Sequence, residues 1–159
     1  MEVRRFMNLF QGYELAHGRY KAQEQEEDGK VSGRAVTVSE PATEENFKSH
    51  LNGEEYILGI IMLKSDNSCN FGVIDIDIRG ETKLNETLES LEKKIRGLPL
   101  VLCRSKSGGA HLYLFCYHSI PAVDMVAKLN EFAAQLGYGV QKYFLNRHPE
   151  RMNWIGGTG

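Results

Sequence analysis

Apolar and polar positions follow two periods along this chain. In residues 71–80, FGVIDIDIRG, they alternate. Successive strand side chains point to opposite faces, so Ile74, Ile76 and Ile78 fall on one side. Phe71, Val73, Asp75 and Asp77 fall on the other. Residues 56–63, YILGIIML, read as a strongly apolar strand. A turn at 64–68 separates the two, so they are expected to form an antiparallel hairpin. Leu84, Leu88, Leu91 and Ile95 then repeat at helical spacing and predict an amphipathic helix over 82–96, stopped by Gly97. Residues 98–104 and 111–117 read as strands around a glycine-rich turn. In the second of these, His111, Tyr113, Phe115 and Tyr117 share one face, and Leu112, Leu114 and Cys116 the other. A helix is expected from Pro121 to about Leu136, with Ala122, Val126, Leu129, Phe132, Ala133 and Leu136 buried and Gly137 closing it.

The flanks are less regular. Phe6, Leu9 and Phe10 suggest an opening helix and turn within residues 1–20. Residues 21–42 are polar and contain the acidic run 24–28, which reads as a solvated loop. Thr43 is a plausible N-cap for a short helix bearing Phe47 and Leu51, ended at Gly53. From Tyr138 onward periodicity is weak. The sum is an α+β layer fold with a mostly antiparallel sheet and helices on one face. Its other face would stay open for a site.

Composition changes this picture only slightly. The 159 residues suffice for one domain with a core, and the formal net charge of −2 gives no global basic footprint, which counts mildly against a nucleic-acid binder that relies on charge alone. Three cysteines, Cys69, Cys103 and Cys116, match no zinc spacing. Cys103 and Cys116 sit in apolar runs, which points to buried thiols and a reducing, cytoplasmic setting. No signal peptide or membrane span is apparent.

Two stretches carry candidate chemistry. Asp75 and Asp77 would put two carboxylates close together on one strand face, where each disfavours ionisation of the other. A hard divalent cation, Mg²⁺ or Mn²⁺, would relieve that repulsion, although two acids reaching solvent at a strand end would read the same way. Residues 104–111, RSKSGGAH, form a turn with Arg104, Lys106 and His111 as cations and Ser105 and Ser107 as hydroxyl donors. Gly108 and Gly109 would let backbone N–H groups approach an anion. This is a possible triphosphate cradle, or else a hairpin turn with solvated basic residues. Metal carboxylates beside a phosphate cradle are the parts needed for nucleotidyl transfer. A third stretch, LFQGYELAHGRY, interleaves Tyr13, His17, Arg19 and Tyr20 in a way that suits nucleotide stacking, but edge-of-core aromatics and a solvated arginine explain it as well.

FGVIDIDIRG followed by LCRSKSGGAHLYLF resembles the archaeo-eukaryotic primase superfamily. The likeness is to the primase-polymerase domains of phages, mobile elements and TOTE-type conflict systems. LFQGYELAHGRY, the HLNG and YILGIIML segments and the SIPA helix start fit as well, so the likeness spans roughly residues 6–139. It implies an RRM-like primase catalytic core and template-directed joining of nucleoside triphosphates on single-stranded DNA or RNA, as in DNA replication. It also implies that Asp75 and Asp77 are metal-binding acids and that Ser107 and His111 hold the incoming triphosphate. Arg104, Lys106, Gly108 and Gly109 belong to that nucleotide-binding turn. Asp75, Asp77 and His111 would be the catalytic set, and helicase or nuclease modules are the expected partners.

The resemblance also implies a third metal-binding acid from a later strand, within a segment like EIFPKQ. Here Gln141 stands near that place, and an amide is a poor substitute for a carboxylate. Residues 140–147, back-translated with degenerate codons and read one nucleotide earlier, can encode E-(I/V)-F-P-K-Q. The expectation is a partial catalytic domain over 1–139 and a frameshifted tail over 140–159. Sequencing the coding DNA checks this: no one-base change near codon 139 that restores a long frame would refute it. The alternative function is a non-catalytic nucleotide or single-strand binding module. A metal-dependent phosphoesterase fits less well, because it needs further histidine and acid ligands.

Overall fold

The chain is described by a computed structural model that covers residues 3–25, 31–54, 56–76, 81–105 and 109–138. The acidic strand is β4 (Ser68–Ile76), whose residues are buried on both faces apart from partial exposure at Asp75. It pairs antiparallel with β6 (Ala110–Pro121), and β6 pairs with β5 (Val101–Arg104), which gives the strand order β4-β6-β5. The helix α3 (Glu81–Lys94) connects β4 to β5, and α4 (Ala122–Gln135) follows β6. This β-α-β-β-α path with the 1-3-2 strand order is the RRM-like arrangement, and the fold class is α+β as expected.

The period-2 and period-3.6 patterns account for the principal core. Ile74 and Ile76 from β4 meet Leu112 and Leu114 from β6. Leu91 from α3 and Met125, Leu129 and Phe132 from α4 close over them. Both helices stop at glycines with φ of +85°, Gly97 and Gly137, a conformation that a Cβ would strain. Leu91 and Leu112 are almost fully enclosed. Truncation of either to alanine removes buried methyl groups and leaves a void.

The opposite face of β4-β6-β5 is not open, contrary to the expectation above. Phe71, Val73 and Tyr113 project there and are covered by Met62, with Phe10 and Ile60 packed alongside. Phe10 follows α1 (Val3–Leu9) and sets its ring edge-on to Phe71, Tyr113 and Phe115 at centroid distances of 5.2, 5.5 and 5.3 Å. Edge-to-face contacts at such separations are favourable beyond the area they bury. The cover is not complete: Val101, paired with Tyr113 on this face, is 49% exposed at the sheet edge, and Asp75 is part-exposed at the far end of β4.

The N-terminal half forms a second three-stranded sheet, ordered β2-β1-β3, from β1 (His17–Gln25), β2 (Val31–Val38) and β3 (Ile57–Gly59). Residues 21–25 and 31–38 are thus strand rather than loop, and 26–28 of the acidic run lie outside the described residues. The expected hairpin of residues 56–63 with β4 does not form, because β3 pairs with β1 through Arg19↔Leu58. The chain after β3 also serves the N-terminal loop, where Tyr13 donates its backbone N–H to the Ile61 carbonyl at 2.7 Å. The short helix α2 (Glu44–Leu51) begins as expected at Thr43. Asn46 donates its N–H to Thr43 Oγ1, and the Thr43 N–H donates to Asn46 Oδ1, a reciprocal capping box. Among the described residues no helix is long and apolar enough to cross a membrane.

His50, in the last turn of α2, accepts the Leu58 N–H on Nδ1, and burial holds its pKa below 6.5. The unfolded chain then binds more protons than the folded one in that window, so this contribution to stability is complete above about pH 6.5 and is lost as pH falls through the folded value. Thermal melts between about pH 7 and about pH 5 should show a falling Tm, with a flatter profile in His50→Gln, which keeps an acceptor without the titrating ring.

Candidate functional site

The accessible end of the covered face is built by two paired strands. The β4–β6 register sets Asp75 directly opposite His111, and the β5–β6 register sets Cys103 on the other side of the same histidine. His111 Nε2 lies 3.3 Å from Asp75 Oδ1, with the side chains 13% and 37% exposed respectively. The imidazole is therefore held inside while the carboxylate stands at the mouth. Behind them, the Tyr113 hydroxyl lies 3.4 Å from His111 Nδ1. Burial pushes the Tyr113 phenol well above the ordinary tyrosine range, and Cys103 and Asp75 push it further. The phenol keeps its proton and can donate to Nδ1, which leaves Nε2 as the N–H that faces Asp75. Burial likewise raises the pKa of the Cys103 thiol, which keeps it a neutral neighbour.

The turn between β5 and β6 is pinned to this end of β4. Ser105 is buried, and its Oγ accepts the Gly109 N–H at 2.8 Å. Its own N–H donates to the Gly109 carbonyl at 2.9 Å. The Gly109 N–H therefore closes the turn instead of facing outward. The glycine is required here by a close approach: a Cβ at position 109 would lie 2.5 Å from the Ile76 carbonyl oxygen and 3.2 Å from Ser105 Oγ. Ile76 immediately follows Asp75, so Gly109 fixes the distance between the turn and the acidic strand. Gly109→Ala should force β4 and the turn apart and cost about 1–3 kcal/mol, comparable to other overpacking changes. Differential scanning calorimetry would register this as a Tm lowered by roughly 2–4 °C per kcal/mol.

Of the residues singled out by sequence, the structure thus brings Asp75, His111 and Gly109 together, with Arg104 exposed at the end of β5 opposite Ala110. Asp77, Lys106, Ser107, Gly108 and Gln141 lie outside the described residues. Among the described residues no group of three or more His, Cys, Asp or Glu side chains is placed to hold a metal ion. Asp75 supplies one hard oxygen donor at the mouth, the ligand type that Mg²⁺ and Mn²⁺ prefer.

The sequence reading placed Tyr113 on the strand face of His111 but did not name it among the site residues, although it is the second contact of His111. The signal was available, since Tyr113 stands two residues beyond His111 and so on the same strand face. The N-terminal motif is split by the fold. His17 is buried, with Nδ1 2.7 Å from the Glu40 carbonyl, whereas Arg19 reaches the ring of Tyr56.

The family model for the archaeo-eukaryotic primase domain of TOTE conflict systems matches residues 2–138. No curated protein matches the chain.

Proposed function

The chain belongs to the archaeo-eukaryotic primase domain family of TOTE conflict systems, and on that premise we propose that it joins nucleoside triphosphates to a growing strand on a single-stranded template. The observation that carries this reading is the Asp75–His111 contact of 3.3 Å, which joins the acidic strand to the end of the glycine turn in one accessible corner. Asp75 and Asp77 are proposed to hold Mg²⁺ or Mn²⁺, which when bound supplies Lewis-acid activation of the attacking hydroxyl and neutralises charge on the phosphates. His111, with Ser107, Lys106, Arg104 and Gly108, is proposed to receive the triphosphate, while Gly109, whose N–H is taken up by Ser105 Oγ, holds the turn against β4 and is not itself a donor to the anion. The buried Tyr113 hydroxyl orients the imidazole so that Nε2 presents an N–H toward the mouth. In the step itself, the 3′-hydroxyl would give up its proton to solvent as its oxygen forms a bond to the α-phosphorus, the bond from that phosphorus to the bridging oxygen would break, and pyrophosphate would leave.

The test is incorporation of labelled nucleotides by the full chain on a single-stranded template with Mn²⁺ or Mg²⁺. Metal-dependent extension or de novo products support the reading. Gln141, where the resemblance implies an acid, favours a second reading in which the site binds nucleotide without turnover. Saturable triphosphate binding with no product at any metal concentration would replace the first reading with the second.

A further inference from the structure

The N-terminal sheet presents a second surface that the catalytic reading does not use. Arg19 and Lys21 point to the same side of β1, and Arg34 stands opposite Lys21 on β2. Tyr56, just before β3, is 40% exposed. The Arg19 guanidinium carbon lies 5.9 Å and Lys21 Nζ 5.5 Å from the Tyr56 ring centroid. These residues and Val36 line a cleft of about 270 Å³. An adjoining cleft of about 220 Å³ shares Arg19 and Tyr56 and continues past Leu58 to Asn46, Ser49 and Glu54 of the α2 side. Arg19 and Tyr56 line both clefts, together called the groove. Glu54, the only carboxylate among those lining residues, accepts from Asn52 Nδ2 at 3.3 Å.

We propose that this groove binds the backbone and bases of a single nucleic-acid strand, with Tyr56 as a stacking platform and Arg19 and Arg34 on phosphates. The charge argument is local. A chain of formal net charge −2 gathers two arginines and a lysine around one half-exposed aromatic ring. Arg19 and Arg34 sit on neighbouring strands two residues out of register, a diagonal of about 7–8 Å that suits successive phosphates of an extended strand. An aromatic face with flanking cations is the general recipe for sequence-tolerant single-strand binding. The cations over Tyr56 can turn to phosphate when a base takes their place on the ring. The choice of ligand rests on the nucleotidyl-transfer reading, and the groove is separate from the Asp75–His111 corner.

Fluorescence anisotropy of a labelled oligothymidylate with the full chain tests the inference. Tyr56→Ala should weaken binding roughly tenfold or more, while Tyr56→Phe, which keeps the ring, should bind as wild type. Arg19→Gln combined with Arg34→Gln should lower the slope of log affinity against log salt by roughly 1.4, for two single-strand phosphates. Lys128→Gln, which removes an exposed cation on α4 that lines neither cleft, should leave strand binding intact. Unchanged affinity and salt slope in these variants would overturn the proposal, as would displacement of the strand by polyglutamate or free triphosphate at matched charge. If wild type incorporates nucleotides while the Tyr56 variants bind normally, the groove assignment fails and the catalytic reading stands. If it incorporates none while Tyr56→Ala still loses the strand, the outcome is the reverse.

Discussion

Asp75→Asn is expected to reduce metal-dependent nucleotide incorporation by well over the roughly 10–100-fold that loss of an outer-shell partner costs, with the fold intact. The amide is nearly isosteric with the carboxylate but loses the anionic oxygen that a hard cation requires. The side chain stands at the mouth, 37% exposed, so the substitution buries no new polar group and should shift Tm little. Incorporation kinetics over a Mn²⁺ titration, beside a thermal melt, separate the two quantities. Activity within a few-fold of wild type at saturating metal would remove Asp75 from the catalytic set. His111→Asn offers a graded comparison. It keeps a polar group near Asp75 but breaks the orienting contact from Tyr113, so the loss should appear mainly in the KM for triphosphate.

The second large effect is structural. Phe71→Ala should cost about 3–5 kcal/mol, since the ring is almost fully buried in the aromatic layer on the site side of the sheet. Against a usual stability of about 5–15 kcal/mol this is a large share. At roughly 2–4 °C per kcal/mol, Tm should fall by roughly 6–20 °C. Phe10 meets Phe71 at 5.2 Å, so the double mutant with Phe10→Ala should show a coupling of about 0.5–1.5 kcal/mol. A Phe71→Ala cost below about 1 kcal/mol would mean that the N-terminal segment does not seal this face.

The sheet that carries the site was legible because its signals are local. Ile74 and Ile76 alternate with Val73 and Asp75, and the structure buries them as that alternation requires. Leu88, Leu91 and Ile95 of α3 follow the same logic, as do Leu129, Phe132, Ala133 and Leu136 of α4, although Met125 rather than Val126 fills the core there, and Thr43 announced α2 through its own hydroxyl. What escaped was long-range. Nothing near Ile57 indicates that it pairs with Tyr20 instead of the next strand, because adjacency and turn residues inform only about neighbours. The strands β1 and β2 were obscured by polar residues on both faces and by the acidic run between them. Val36 and Val38, alternating with Thr37, were the available hint. Phe10 showed helical spacing but no sign that its ring would cross to Phe71 and Phe115. The site followed the same division. The Asp75–His111 pairing was anticipated as a shared face, whereas the Gly109 approach to Ile76 is a backbone contact with no side-chain pattern behind it.

The burial of β4 on both faces has a kinetic consequence. The amides that β4 directs to β6 should be among the slowest in the chain to exchange with solvent, because opening them means parting two packed layers. The Asp75 carboxylate is thus mounted near the end of an element whose pairing with β6 opens only rarely.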